Sequence, residues 1–130
     1  MIPRSGDDHA LLMDTRYLQA IDLFNSSQWY AAHDLFEELW HEFHGPLRAM
    51  LQGIIQISVA EYHLENGNIR GSTLLMAEGL NHLQSFRSYA LCFDLESLIL
   101  CASSRLQALQ ADASLEGLPP PTLLQRNPTA

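Results

Sequence analysis

Two histidines, a carboxylate and a pair of glutamines are spaced in this chain so as to meet across a helical hairpin. His33 and Glu37 stand four residues apart, one helical turn, on the border of an apolar arc and beside Trp40. Gln52, Gln56 and His63 recur at i, i+4 and i+11 and form one narrow stripe with Val59. Gly45-Pro46 separates the two groups. Folding the hairpin about Gly45 sets Glu37 near Gln52 and His33 near Gln56. His63 then lies roughly 10 Å further along, at about 1.5 Å of rise per residue. Helical side chains lean toward their own N-termini, which carries His63 back toward Gln56 and His33 to the same level. The expected result is a polar seam of His33, Glu37, Gln56 and His63, bordered by Trp40 and Gln52.

That seam has two chemical readings. His33, Glu37 and His63 make a workable ligand set for a divalent metal such as zinc or iron(II), with Gln56 positioning a water. All six residues together would line a small-ligand site. Alternatively, the same groups form a hydrogen-bond network in which a partly buried Glu37 fixes His33 and the glutamines bridge the two helices. An i, i+4 His–Glu pair is common on ordinary helices, so the network is the simpler expectation.

Other candidates are weaker. Glu38-Leu39-Trp40-His41 is an E-x-x-H, but a ferritin-like di-iron centre needs a second copy and the chain has none. Glu38 is also expected on the wet side. His41 and His44 fall near a helix end and suit its negative dipole. Glu78 and His82 are expected to form a surface pair. No nucleophile-elbow or protease signature occurs.

The elements that must position the seam follow from punctuation. Five helices are expected: Ala10 to Phe24; Gln28 to Phe43, capped by Ser27; Pro46 to Glu65; Ile69 to Phe86, capped by Asn68; and one capped by Asp94 that fades near Ala111. Gly45 suits a left-handed turn and Pro46 the first position of the following helix. No alternating β-branched run marks a strand. The fold class is therefore all-α, an antiparallel multi-helix array. Its third helix is apolar in nearly every direction and so expected to be central and buried. Residues 1–112 read as one domain. Residues 113–130, with Pro119-Pro120-Pro121, read as a loosely held tail.

At 130 residues, 47% of them apolar and 17% charged, the chain is globular and sized for one core. A net charge of −8 argues against nucleic-acid and anionic-membrane partners, which need basic surface. All seven basic residues are arginines, so Schiff-base lysine chemistry and a Walker-type lysine are excluded. Cys92 and Cys101 lack C-x-x-C spacing and read as free thiols in a reducing compartment. The first eight residues lack the apolar run of a signal peptide, and the Ile54–Leu64 stretch is too short and polar to span a bilayer. A cytoplasmic location is expected.

The run from Asn25 to Trp40 resembles the signature of the domain of unknown function 309 family in its Ala32-His33, Glu37 and Trp40. Leu51-Gln52-Gly53-Ile54-Ile55-Gln56, His63 and Gly67-Asn68-Ile69-Arg70-Gly71 extend the likeness, which covers about Tyr17 to Leu83. It departs at Ser27, Asp34 and Ser72, where the family usually has glycine, glutamate and alanine. The resemblance implies a compact all-helical fold with the same His-Glu-Trp motif and no established activity. A looser similarity links Trp29–Phe36 and Gly67–Ser72 to the starts of tetratricopeptide-type hairpins, roughly 38 residues apart. It implies an alternative role as an interaction or structural module, with a homodimer or protein partner and Trp29 and Tyr30 as anchors.

Overall fold

The computed structural model describes residues 6–86 and 94–124, the side chains of 6–9 excepted. Among the described residues six helices follow one another: α1 (Gly6–Met13), α2 (Thr15–Asn25), α3 (Trp29–Glu42), α4 (Pro46–Glu65), α5 (Ile69–Gln84) and α6 (Leu95–Gln110). No strand occurs among the described residues. From α2 onward each helix packs mainly against its neighbours in sequence, so α4 lies between α3 and α5. No described helix is long and apolar enough to cross a membrane.

The single helix expected over residues 10–24 is two. Asp14 is extended, with φ −77° and ψ 125°, and its carboxylate accepts a bond from Arg16 N at 2.9 Å. An N-cap in mid-run ends one helix and starts another. The Arg16 guanidinium then reaches Asp14 Oδ2 at 2.8 Å and Glu42 Oε1 at 3.0 Å, with a second short bond to Glu42 Oε2. It thereby ties the start of α2 to the end of α3. Hydrogen bonding to Arg16 holds the carboxyls of Asp14 and Glu42 below their ordinary range.

Other caps lie where the sequence puts them, with one exception. Asn68 accepts from Gly71 N and Asp94 from Ser97 N. Gly45 takes φ 68° and Pro46 opens α4. Ser27, however, is itself left-handed at φ 60°, and Gln28 precedes α3 without a side-chain cap bond. The turn leaving α2 takes Ser27 for its own geometry.

Helix α3 buries Trp29, Ala32, Phe36 and Leu39, while Asp34, Glu38 and Glu42 are exposed. Helix α4 buries Leu51, Ile54, Ile57 and Ala60 but is not covered all round. Gln52, Ile55, Gln56, Val59, Tyr62 and His63 stay half-exposed in one stripe. On the α5 side the backbones come close. A Cβ on Gly79 would lie 2.9 Å from the Gly53 carbonyl oxygen.

The segment after α6 differs from the loose tail expected beyond residue 112. Leu123 is fully buried, and Asn25 exchanges two bonds with its backbone at 2.6 and 3.0 Å. Asp94 N donates to Leu124 O at 2.8 Å. Prolines forbid a helix here but not packing, because an extended chain can bond to side-chain amides and guanidinium groups. Residues 87–93, Cys92 among them, and 125–130 lie outside the described residues.

Candidate functional site

The half-exposed stripe of α4 and the adjoining edge of α3 enclose two neighbouring clefts. The first, about 180 Å³, is lined by Trp29, Tyr30 and His33 from α3 and by Val59, Tyr62 and His63 from α4. The second, about 190 Å³, is lined by Glu37 and Trp40 from α3 and by Gln52, Ile55 and Gln56 from α4. Every residue singled out from the sequence lines one of them, although they do not gather into a single cluster. His33 and His63 share the first cleft; Glu37, Trp40, Gln52 and Gln56 share the second.

The bond that joins the two compartments is local to α3. His33 Nε2 lies 3.1 Å from Glu37 Oε2, and His33 Nδ1 lies 3.2 Å from Asp34 Oδ1. Glu37 was expected to be partly buried, but its side chain is 49% exposed. The α3 arc turns it outward because Phe36 and Leu39 take the core positions. His63 meets Asn68 Nδ2 at 3.4 Å, at the α4–α5 turn.

Gln56 does not pair with His33. Its Oε1 lies 2.8 Å from His82 Nδ1, and its amide donates to Glu78 Oε2 at 3.1 Å. Glu78 and His82, expected as a surface pair, instead hold Gln56 from α5. His82 Nδ1 also lies 3.0 Å from the Glu78 carbonyl. Gln56 therefore bridges α4 to α5, whereas the sequence alone suggested α3 to α4. Close packing at Gly53 and Gly79 brings α5 within reach of Gln56, whose Cβ is 3.3 Å from where a Gly79 side chain would begin. Among the described residues no side-chain hydrogen bond crosses from α3 to α4. Nor do three His, Cys, Asp or Glu side chains gather as a metal-binding group among them.

Residues 17–75 match the family model for the Domain of unknown function (DUF309). The family resemblance expected over about Tyr17 to Leu83 holds over that stretch. Both clefts lie wholly within the matched stretch, while Glu78, His82 and Arg105 fall beyond it. No curated protein matches the chain.

Two further features escaped sequence reasoning. Arg48 stacks over Trp40 with its Cζ 3.9 Å from the ring centre, so one face of that indole is covered by a cation. Trp40 Nε1 and Arg48 Nε are buried without a hydrogen-bond partner among the described residues. The second feature is a buried ion pair. Glu61, 3% exposed, accepts from Arg105 Nε at 2.7 Å and Nη2 at 2.6 Å. Arg105 Nη1 also donates to the carbonyls of Leu118 and Pro119. The sequence signal was there, since a carboxylate at Glu61 in an apolar helix needs a partner. Nothing in the spacing pointed to Arg105, 44 residues away. Near this pair, burial pushes the Cys101 thiol up, which works against thiolate chemistry there.

Proposed function

We propose that this domain is a binding module that holds a small organic molecule in the groove between α3 and α4. One observation carries the reading: nine polar and aromatic residues line the two clefts, yet no polar side-chain bond among them joins α3 to α4. Polar and aromatic groups set beside apolar walls, most of them half-exposed and none bonded through a polar side chain across the groove, are what ligand pockets consist of. An organic ligand suits the groove better than zinc or iron(II), because His33, Glu37 and His63 are divided between two clefts. Binding needs no catalytic group, and a role without chemistry accords with the absence of any nucleophile signature in the sequence.

The competing reading, a structural network, differs in what Glu37 contributes to stability. A half-exposed i, i+4 pair is worth only about 0.3–0.5 kcal/mol. Glu37→Ala should therefore lower the unfolding free energy in urea by less than about 0.5 kcal/mol, with added zinc making no difference between variant and parent. A loss of about 1–3 kcal/mol, the cost of stranding a buried partner, would return the seam to structure. A zinc-induced gain present in the parent and lost in the variant would make it a metal site.

A further inference from the structure

The two clefts differ in character, and the first specifies a ligand class. Its walls are almost wholly carbon, supplied by three aromatic residues, two imidazoles and Val59. Tyr30 and Tyr62 stand with ring centroids 5.2 Å apart and planes tilted by 54°, so their faces splay around a common opening. Trp29, 3% exposed, is braced edge-on against Phe24 at 5.1 Å. His33 and His63 stand 5.5 Å from Tyr30 and 6.2 Å from Tyr62 respectively.

Electrostatics select among the apolar groups that could enter. No arginine lines the cleft. The His33 ring is bracketed by the carboxylates of Asp34 and Glu37, at 3.2 and 3.1 Å, and the chain as a whole carries −8. Those two carboxylates lie within a Debye length, about 8 Å at physiological salt, of anything touching His33. Aromatic faces present the negative side of their quadrupole to a ligand. An anion gains nothing from these walls, and a neutral group gains only burial. A desolvatable cation gains both burial and attraction to the rings. At about 180 Å³ the space is slightly larger than the ~150 Å³ apolar cavity that accepts benzene, which suits one compact head group.

We propose that the first cleft binds an alkylammonium head group, of the trimethylammonium kind, on a small organic molecule. This rests on the ligand-binding reading of the groove and narrows it to a class. The rings of Tyr30 and Tyr62 face the methyl groups, Trp29 forms the floor, and Asp34 and Glu37 supply the field.

The test is calorimetric titration of the full chain with choline and with 3,3-dimethyl-1-butanol, which has the same shape with carbon in place of the charged nitrogen. Choline should bind about tenfold more tightly. Tyr30 is 56% exposed, so its replacement leaves the core intact. Tyr30→Phe should keep the preference, because the ring remains, and Tyr30→Leu should largely abolish it. Equal binding of the two probes, or tighter binding of the alcohol, would overturn the inference while leaving the groove a ligand site. Binding of neither probe would also overturn it, with the groove itself still open to test by the ligand it retains. A preference unchanged in Tyr30→Leu would overturn the role given to the rings.

Discussion

Glu61→Ala should cost about 3–5 kcal/mol, as much as emptying a core aromatic site. The substitution leaves the Arg105 guanidinium 7% exposed among apolar neighbours with two of its donors unpaired. A buried ion pair is not necessarily stabilising as a whole, since desolvating both charges offsets their attraction. Removing one partner is costly because the other charge stays buried. The double variant Glu61→Leu, Arg105→Leu should therefore recover much of the loss, though not the bonds from Arg105 to the carbonyls of Leu118 and Pro119. In Glu61→Ala those anchors should loosen as well, so that protease cleaves between residues 113 and 124 faster than in the parent. Urea unfolding of the two single variants and the double gives the coupling directly. A single-variant cost below about 1 kcal/mol would mean that the pair is solvated.

Gly79→Val should destabilise by about 3 kcal/mol, at the upper end of the usual cost of overpacking. The added Cβ would fall 2.9 Å from the backbone oxygen of Gly53 and 2.9 Å from Ile57 Cγ1. A carbonyl fixed in a helix cannot rotate away, so α4 and α5 must separate. Gly79→Ala meets the same contact but regains about 1 kcal/mol of helix propensity, and should cost less. Gly53→Ala presses mainly on the Leu83 side chain and should be milder than Gly79→Val. The effect should extend beyond stability, because Gln56 is held by Glu78 and His82 only while the helices stay close. Loss of protection at these groups, read by NMR of the glutamine amide, should accompany the drop in unfolding free energy.

How far the sequence carried the description depended on the range of the interaction. Helices α3 to α6 were legible because their ends carry local signals: Gly45-Pro46, Asn66-Gly67-Asn68 and Asp94. The break at Asp14 is equally local, but an aspartate inside an apolar-periodic run also suits a continuous helix, and only the bond to Arg16 N distinguishes them. The lining of the groove was legible too, since His33 and Glu37 border the apolar arc of α3 and Gln52, Gln56 and His63 form one stripe on α4. Their partners were not. Gln56 turns to α5 because two glycines let that helix approach, and Glu61 finds Arg105 through a return of the chain that no periodicity encodes. The anchoring of residues 118–124 was missed for the same reason, because it depends on Asn25 and Arg105 and not on the prolines.

The claim that the α3–α4 groove holds a small organic molecule is tested most directly by native mass spectrometry of untagged protein, released gently from the cells that make it. The expected spectrum shows, beside the bare chain, an adduct of small-organic mass that disappears in Tyr62→Leu while the variant remains folded. A parent chain that emerges bare, or with only the mass of a zinc or iron ion attached, would contradict it.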